Sequence, residues 1–216
     1  MEPLGLAWTT ALVAWVAAVP LGRFTMHTIT VTHEGGHTLL GVLTGVKVGR
    51  IKVNGDGGGE TGFPPKIPWL ADVLITLAGY LAPSAVGLGG VFLLLHDRAE
   101  WVLWISVVML GLLVFKMGNP LGFVAAIGTG VVLWYVATHW SDQAQLAFTY
   151  AWVWFLLIGG ARTITGLFWG VRNGDKGSDA AVMQRLTLLG DVVWLAFFWL
   201  AAMAALIYGG VKLLHL

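Results

Sequence analysis

The chain contains no cysteine. Disulfides are therefore excluded, and a zinc site would have to be built from His, Asp or Glu, which disfavours a structural Cys-type site. Charge is nearly as scarce. Only 11% of the 216 residues are Asp, Glu, Lys or Arg, against about a quarter in soluble domains. A formal charge of +1 and the lack of a dense basic run exclude nucleic acid as a partner. Apolar residues make up 57% of the chain, with a mean hydropathy of +0.81. That is the composition of a polytopic protein whose solvent is the lipid bilayer.

Seven stretches approach the roughly 20 residues a spanning helix needs. They lie at about 4–22, 25–46, 69–95, 100–116, 121–140, 145–165 and 183–213. The predicted fold is an all-α polytopic membrane protein, one domain over 1–216, with about six to seven transmembrane helices. The first stretch has no basic region before it and reads as a retained span, not a cleaved signal. The last exceeds the bilayer, so its start is expected to protrude or lie along the interface. Pro83 and several glycines predict a kink in the third. Trp69, Trp101, Trp140 and Trp169 fall near span ends, where interfacial anchors sit.

One segment is not helical in pattern. Lys47 to Val53 alternates and runs into Asn54-Gly55-Asp56-Gly57-Gly58-Gly59, with a weak return from Glu60 to Phe63. This predicts a β-hairpin over about 47–63. With the N-terminus inside, the inner loops hold Lys47, Arg50, Lys52, Lys66, Lys116, Arg172, Lys176 and Arg185, against Arg23, Arg98 and Lys212 outside. That imbalance predicts a cytoplasmic N-terminus, an external C-terminus, and a hairpin sharing the cytoplasmic side with the 172–185 loop.

Within the second stretch lies His33-Glu34-Gly35-Gly36-His37. On a helix, HExxH sets two imidazoles on one face about 6 Å apart along the axis, so both can reach one zinc ion. The intervening Glu34 is then a candidate base for a bound water. With six His in 216 residues, chance accounts for roughly 0.003 such matches. Gly35 and Gly36 each cost a helix about 1 kcal/mol relative to Ala. Such a pair suggests close approach by a neighbouring helix or by substrate.

A catalytic zinc needs a third protein ligand. His27 lies about two turns from Glu34, and its place suits support or pore lining better than ligation. His96, His139 and His215 fall at outer ends. Asp179 and Asp191 are the serious candidates: Asp191 is expensive in an apolar segment unless paired, and the alternative role for Ser178 or Asp179 is to cap the final helix. Asp72 opens the third span as a cap or an interface charge. Gly79 to Ser84, broken by Pro83, is a candidate source of polar backbone near the metal, with a plain packing kink as the alternative.

The HExxH segment, Ala78-Gly79-Tyr80-Leu81-Ala82-Pro83-Ser84 and Gly177-Ser178-Asp179-Ala180 together resemble a compact bacterial branch of the site-2 protease family, over about residues 25 to 200. These are intramembrane zinc metalloproteases. The resemblance implies zinc on His33 and His37, Glu34 as catalytic base, and a third ligand from a distant segment, with Asp179 first and Asp191 second. On the bounds read above, the HExxH helix runs over about 25–46 and the third-ligand loop and final helix over about 172–213. The resemblance also implies a cytoplasm-facing hairpin after the HExxH helix, single-span membrane proteins as substrates, and residence in the bacterial cell membrane. His27, Gly79, Pro83 and Ser84 are candidate supporting or substrate-contacting residues. Two rival readings follow from the same residues: a zinc enzyme of small or lipidic substrates, or a non-catalytic metal-binding membrane protein. The concentration of intramembrane polar groups around one helix favours the peptidase.

Overall fold

The structure, a computed structural model, describes residues 3–172 and 177–215. Asn173 to Lys176, expected in the loop before Asp179, lie outside the described residues, as do the side chains of Trp169 and Arg172. The described elements are α1 (Pro3–Ala18), α2 (Gly22–Leu43), β1 (Ile51–Val53), β2 (Gly59–Thr61), α3 (Trp69–Leu95), α4 (Ala99–Val114), α5 (Pro120–His139), α6 (Asp142–Arg172), α7 (Asp179–Leu186) and α8 (Asp191–Leu214).

α3, α5, α6 and α8 are each long and apolar enough to cross a membrane, while α4 is shorter. α1 and α2, expected as separate spans over 4–22 and 25–46, instead form one pair bent by 96°. The break contains Pro20, which has no N–H for the helix ladder and whose ring crowds the preceding turn. The last expected segment also divides. α7 is a short amphipathic helix before the true span α8, in keeping with a start that does not cross. Pro83 sits inside α3 without ending it.

The hairpin pairs β1 and β2 antiparallel, with Ile51 opposite Thr61, Lys52 opposite Glu60 and Val53 opposite Gly59. Ile51 and Val53 are fully buried while Lys52 points out. They join Val31 of α2 and Leu110, Leu113 and Met117 in one apolar cluster. A lone hairpin is marginal in water. This one is held on its far side by the turn between α4 and α5: the Ile51 N–H donates to Lys116 O at 2.8 Å and the Gly118 N–H to Ile51 O at 2.6 Å.

α6 is the central post, packing against α1, α3 and α8. Outward faces such as Leu112, Phe115, Val124 and Leu200 are exposed, as lipid-facing residues are. The indole of Trp69 donates to Leu186 O at 2.8 Å, tying the start of α3 to the end of α7. The hairpin, the α4–α5 turn and α7 thus gather at one end of the molecule.

Candidate metal centre

α2 carries His33, Glu34 and His37 on the stripe it turns toward α3 and the hairpin. Gly36 permits that approach, because a Cβ there would lie 2.5 Å from the Ala78 carbonyl oxygen of α3. Gly35 faces a Leu113 side chain of α4. The glycine pair therefore serves contact with neighbouring helices.

The third candidate donor arrives from α7. Ser178 is the N-cap, its hydroxyl accepting from the Ala181 N–H, so Asp179 is not needed as a cap. Its carboxylate turns to the two rings instead. Asp179 Oδ2 lies 3.4 Å from Nε2 of His33 and 3.4 Å from Nε2 of His37, and the two Nε2 atoms are 3.1 Å apart. Ligand atoms about 2.0–2.1 Å from a tetrahedral zinc stand about 3.3–3.4 Å from one another. The triangle has the size of one face of such a tetrahedron.

Two further features fit a cation. The Nδ1–H of His37 donates to Ile75 O at 2.7 Å, which leaves Nε2 to offer a lone pair into the triangle. Asp179 Oδ2 is buried with no hydrogen-bond partner, a costly state for a carboxylate unless a positive group faces it. Burial pushes the Asp179 carboxyl up, but the facing His37 and His33 rings outweigh this and hold it below its ordinary value. Among the described residues this is the group of His and acidic side chains close enough to share an ion.

Glu34 sits beside the triangle, almost wholly buried. Its Oε2 accepts from the Thr61 hydroxyl of β2 at 2.6 Å, and the Gly59 backbone lies against the same carboxylate. Sequence reasoning singled out neither Thr61 nor Tyr80. The Tyr80 ring meets His33 edge-on with centroids 4.7 Å apart and packs on Phe198 of α8, fixing the His33 imidazole from behind. Period-two alternation puts Gly59 and Thr61 on one face of β2, but no pattern says which face meets α2.

The other expected site residues divide. Gly79 is at the centre: a Cβ there would overlap both the His37 ring and Asp179 Oδ2. Pro83 lines the adjoining cavity and cannot donate to the carbonyl of Gly79 four residues earlier. Ser84 is buried against Gly160 of α6, on another side of α3. His27 is partly buried, its Nδ1 without a partner and outside the metal triangle. Asp191 stands apart, in the first turn of α8, with its carboxylate bonded to the Val192 N–H at 2.7 Å. Asp72 opens α3 within electrostatic reach of Arg185 on α7.

A cavity of about 1130 Å³ adjoins the group, walled by α2, the hairpin, the first half of α3, residues 160–167 of α6, and the start of α7. That is ample for an extended peptide segment. A family model described as Peptidase M50B-like matches residues 6–209. No curated protein and no solved structure shows a significant match.

Proposed function

This chain belongs to the Peptidase M50B-like family of the site-2 proteases, and from that premise we propose that it is an intramembrane zinc metalloendopeptidase acting within or beside transmembrane segments of membrane proteins, single-span ones above all. The observation that carries the reading is the His33–His37–Asp179 triangle next to the buried carboxylate of Glu34.

In this reading His33, His37 and Asp179 hold the zinc. When bound, zinc lowers the pKa of a water towards about 7 and polarises a carbonyl. Glu34 takes the proton of the attacking water and delivers it to the leaving amine. Thr61 engages Oε2 of Glu34, which leaves Oε1 as the oxygen that accepts that proton. Tyr80 and the Ile75 carbonyl keep the two imidazoles aimed.

A helical substrate must be extended before its carbonyl can be reached. β1 is flanked by β2 and by the α4–α5 turn, whereas β2 borders the cavity with no strand beyond it among the described residues. We assign the substrate to that edge, where main-chain pairing holds it extended. The basic residues gathered around the hairpin end favour a cytoplasmic position for it, with the C-terminus outside and the bacterial cell membrane as host.

The test is metal analysis and cleavage of a transmembrane peptide by purified protein. Glu34→Gln should retain zinc and lose hydrolysis, because an amide cannot act as a base. His37→Ala should lose both. Equal metal loss in the two variants would make Glu34 a ligand and sink the assignment.

A further inference from the structure

We infer that Asn119 is a positioning residue that pins the register of the hairpin over Glu34. The activity arm of its test rests on the reading above, and the labelling arm does not.

The hairpin continues as a ladder on its far side. The Lys116 carbonyl and the Gly118 N–H bond to Ile51, but Pro120 has no N–H with which the backbone could go further. The Asn119 carboxamide takes over as an extra peptide unit. Its Oδ1 accepts from the Val53 N–H at 3.1 Å and its Nδ2 donates to Val53 O at 2.7 Å. The same Oδ1 accepts from the Gly122 N–H at 3.2 Å and so caps α5. One side chain thereby fixes the hairpin to the start of a helix.

Register decides which face of the hairpin meets the site. As it stands, Gly59 and Thr61 turn to α2, and the Thr61 hydroxyl reaches Glu34. Glu60 turns the other way, 3.1 Å from the Lys52 ammonium and largely exposed. A one-residue slip of β1 along the 116–119 ladder would turn the hairpin over. The carboxylate of Glu60 would then face Glu34 and Asp179, and the hydroxyl would be lost to solvent. The turn bonds between Asn54 and Gly58 hold β2 against β1, but they do not hold the hairpin against the body. The Ile51 backbone bonds to the 116–118 turn begin that hold, and the Asn119 carboxamide extends it by a second rung at Val53.

Asn119→Asp separates pinning from capping. Asp caps a helix as well as Asn does and keeps the acceptor for Val53 and Gly122, but it loses the donor and sets a carboxylate against the Val53 carbonyl. The chain has no cysteine, so single thiols introduced by Glu60→Cys or Thr61→Cys report on register directly. With Asn119 present, the thiol at 61 should react slower than that at 60 by roughly tenfold or more. Adding Asn119→Asp should bring the two rates close together, and an unchanged ratio overturns the inference. In the activity arm, Asn119→Asp should lower kcat by about tenfold with full metal content, and combining it with Thr61→Val should cost clearly less than the two losses multiplied, because both remove the same hydroxyl from Glu34. Additive losses, or a loss matched by metal release, would overturn it. If wild-type protein cleaves nothing, the peptidase reading fails while the thiol ratio still judges the pin. Should Asn119→Asp not accumulate, Asn119→Ser, which also caps, carries both measurements.

Discussion

Asp179→Ala and Asp191→Ala separate two acids that spacing alone leaves equal. Asp179 lies against both imidazoles while Asp191 bonds its own helix start. Zinc content of the purified protein should therefore fall with the first and stay with the second. Thr61→Val should keep the metal and slow turnover roughly tenfold to a hundredfold, since a hydrogen bond to a charged group contributes about 1.5–3 kcal/mol; unchanged kcat would remove Thr61 from the catalytic arrangement. The helical pair of histidines was legible because i, i+4 spacing is local geometry. From the residues Asp179 was legible only as one of two candidate acids, and its rank above Asp191 came from resemblance, since nothing in the 141 positions between His37 and Asp179 says that α7 folds back onto α2. Tyr80 and Thr61 were not singled out, because their roles depend on which face of α3 and of β2 meets α2.

At the scale of elements, the seam between α2 and α3 is the most exacting contact. Gly36 meets a backbone carbonyl and the Ala82 methyl, so Gly36→Ala must push two helices apart, at about 1–3 kcal/mol for overpacking. Gly22, by contrast, meets first the guanidinium of Arg162, the far end of a flexible side chain that can swing away. Thermal unfolding in detergent should show a clear loss for Gly36→Ala and little for Gly22→Ala; comparable losses would contradict the seam. The helices and hairpin were readable from runs of apolar residues and a two-residue alternation. The 96° bend between α1 and α2 was not, because two apolar helices joined at a proline give the same hydropathy profile whether straight, bent or folded back.

For the molecule as a whole, the grouping of hairpin, α4–α5 turn and α7 at one end makes sidedness a single question. In intact cells, an impermeant thiol reagent should label Cys introduced at His139 and spare Cys introduced at Asn54; both positions are exposed at the ends of their elements. Labelling at 54 would turn the molecule over and remove cytoplasmic access. Asp179 has a wider consequence, since it rides on an eight-residue helix that crosses nothing. A cation bridging it to α2 would act as a rivet between the first and last thirds of the chain, closing a loop with 141 residues between His37 and Asp179. Loop closure and ligand occupancy then become one thermodynamic quantity. At a hundredfold excess over its dissociation constant such an ion adds about 2.7 kcal/mol. A chelator should lower the melting temperature of the wild type and leave that of His37→Ala where it was, so the protein's hold on its ion can be read from heat alone, with no substrate in the tube.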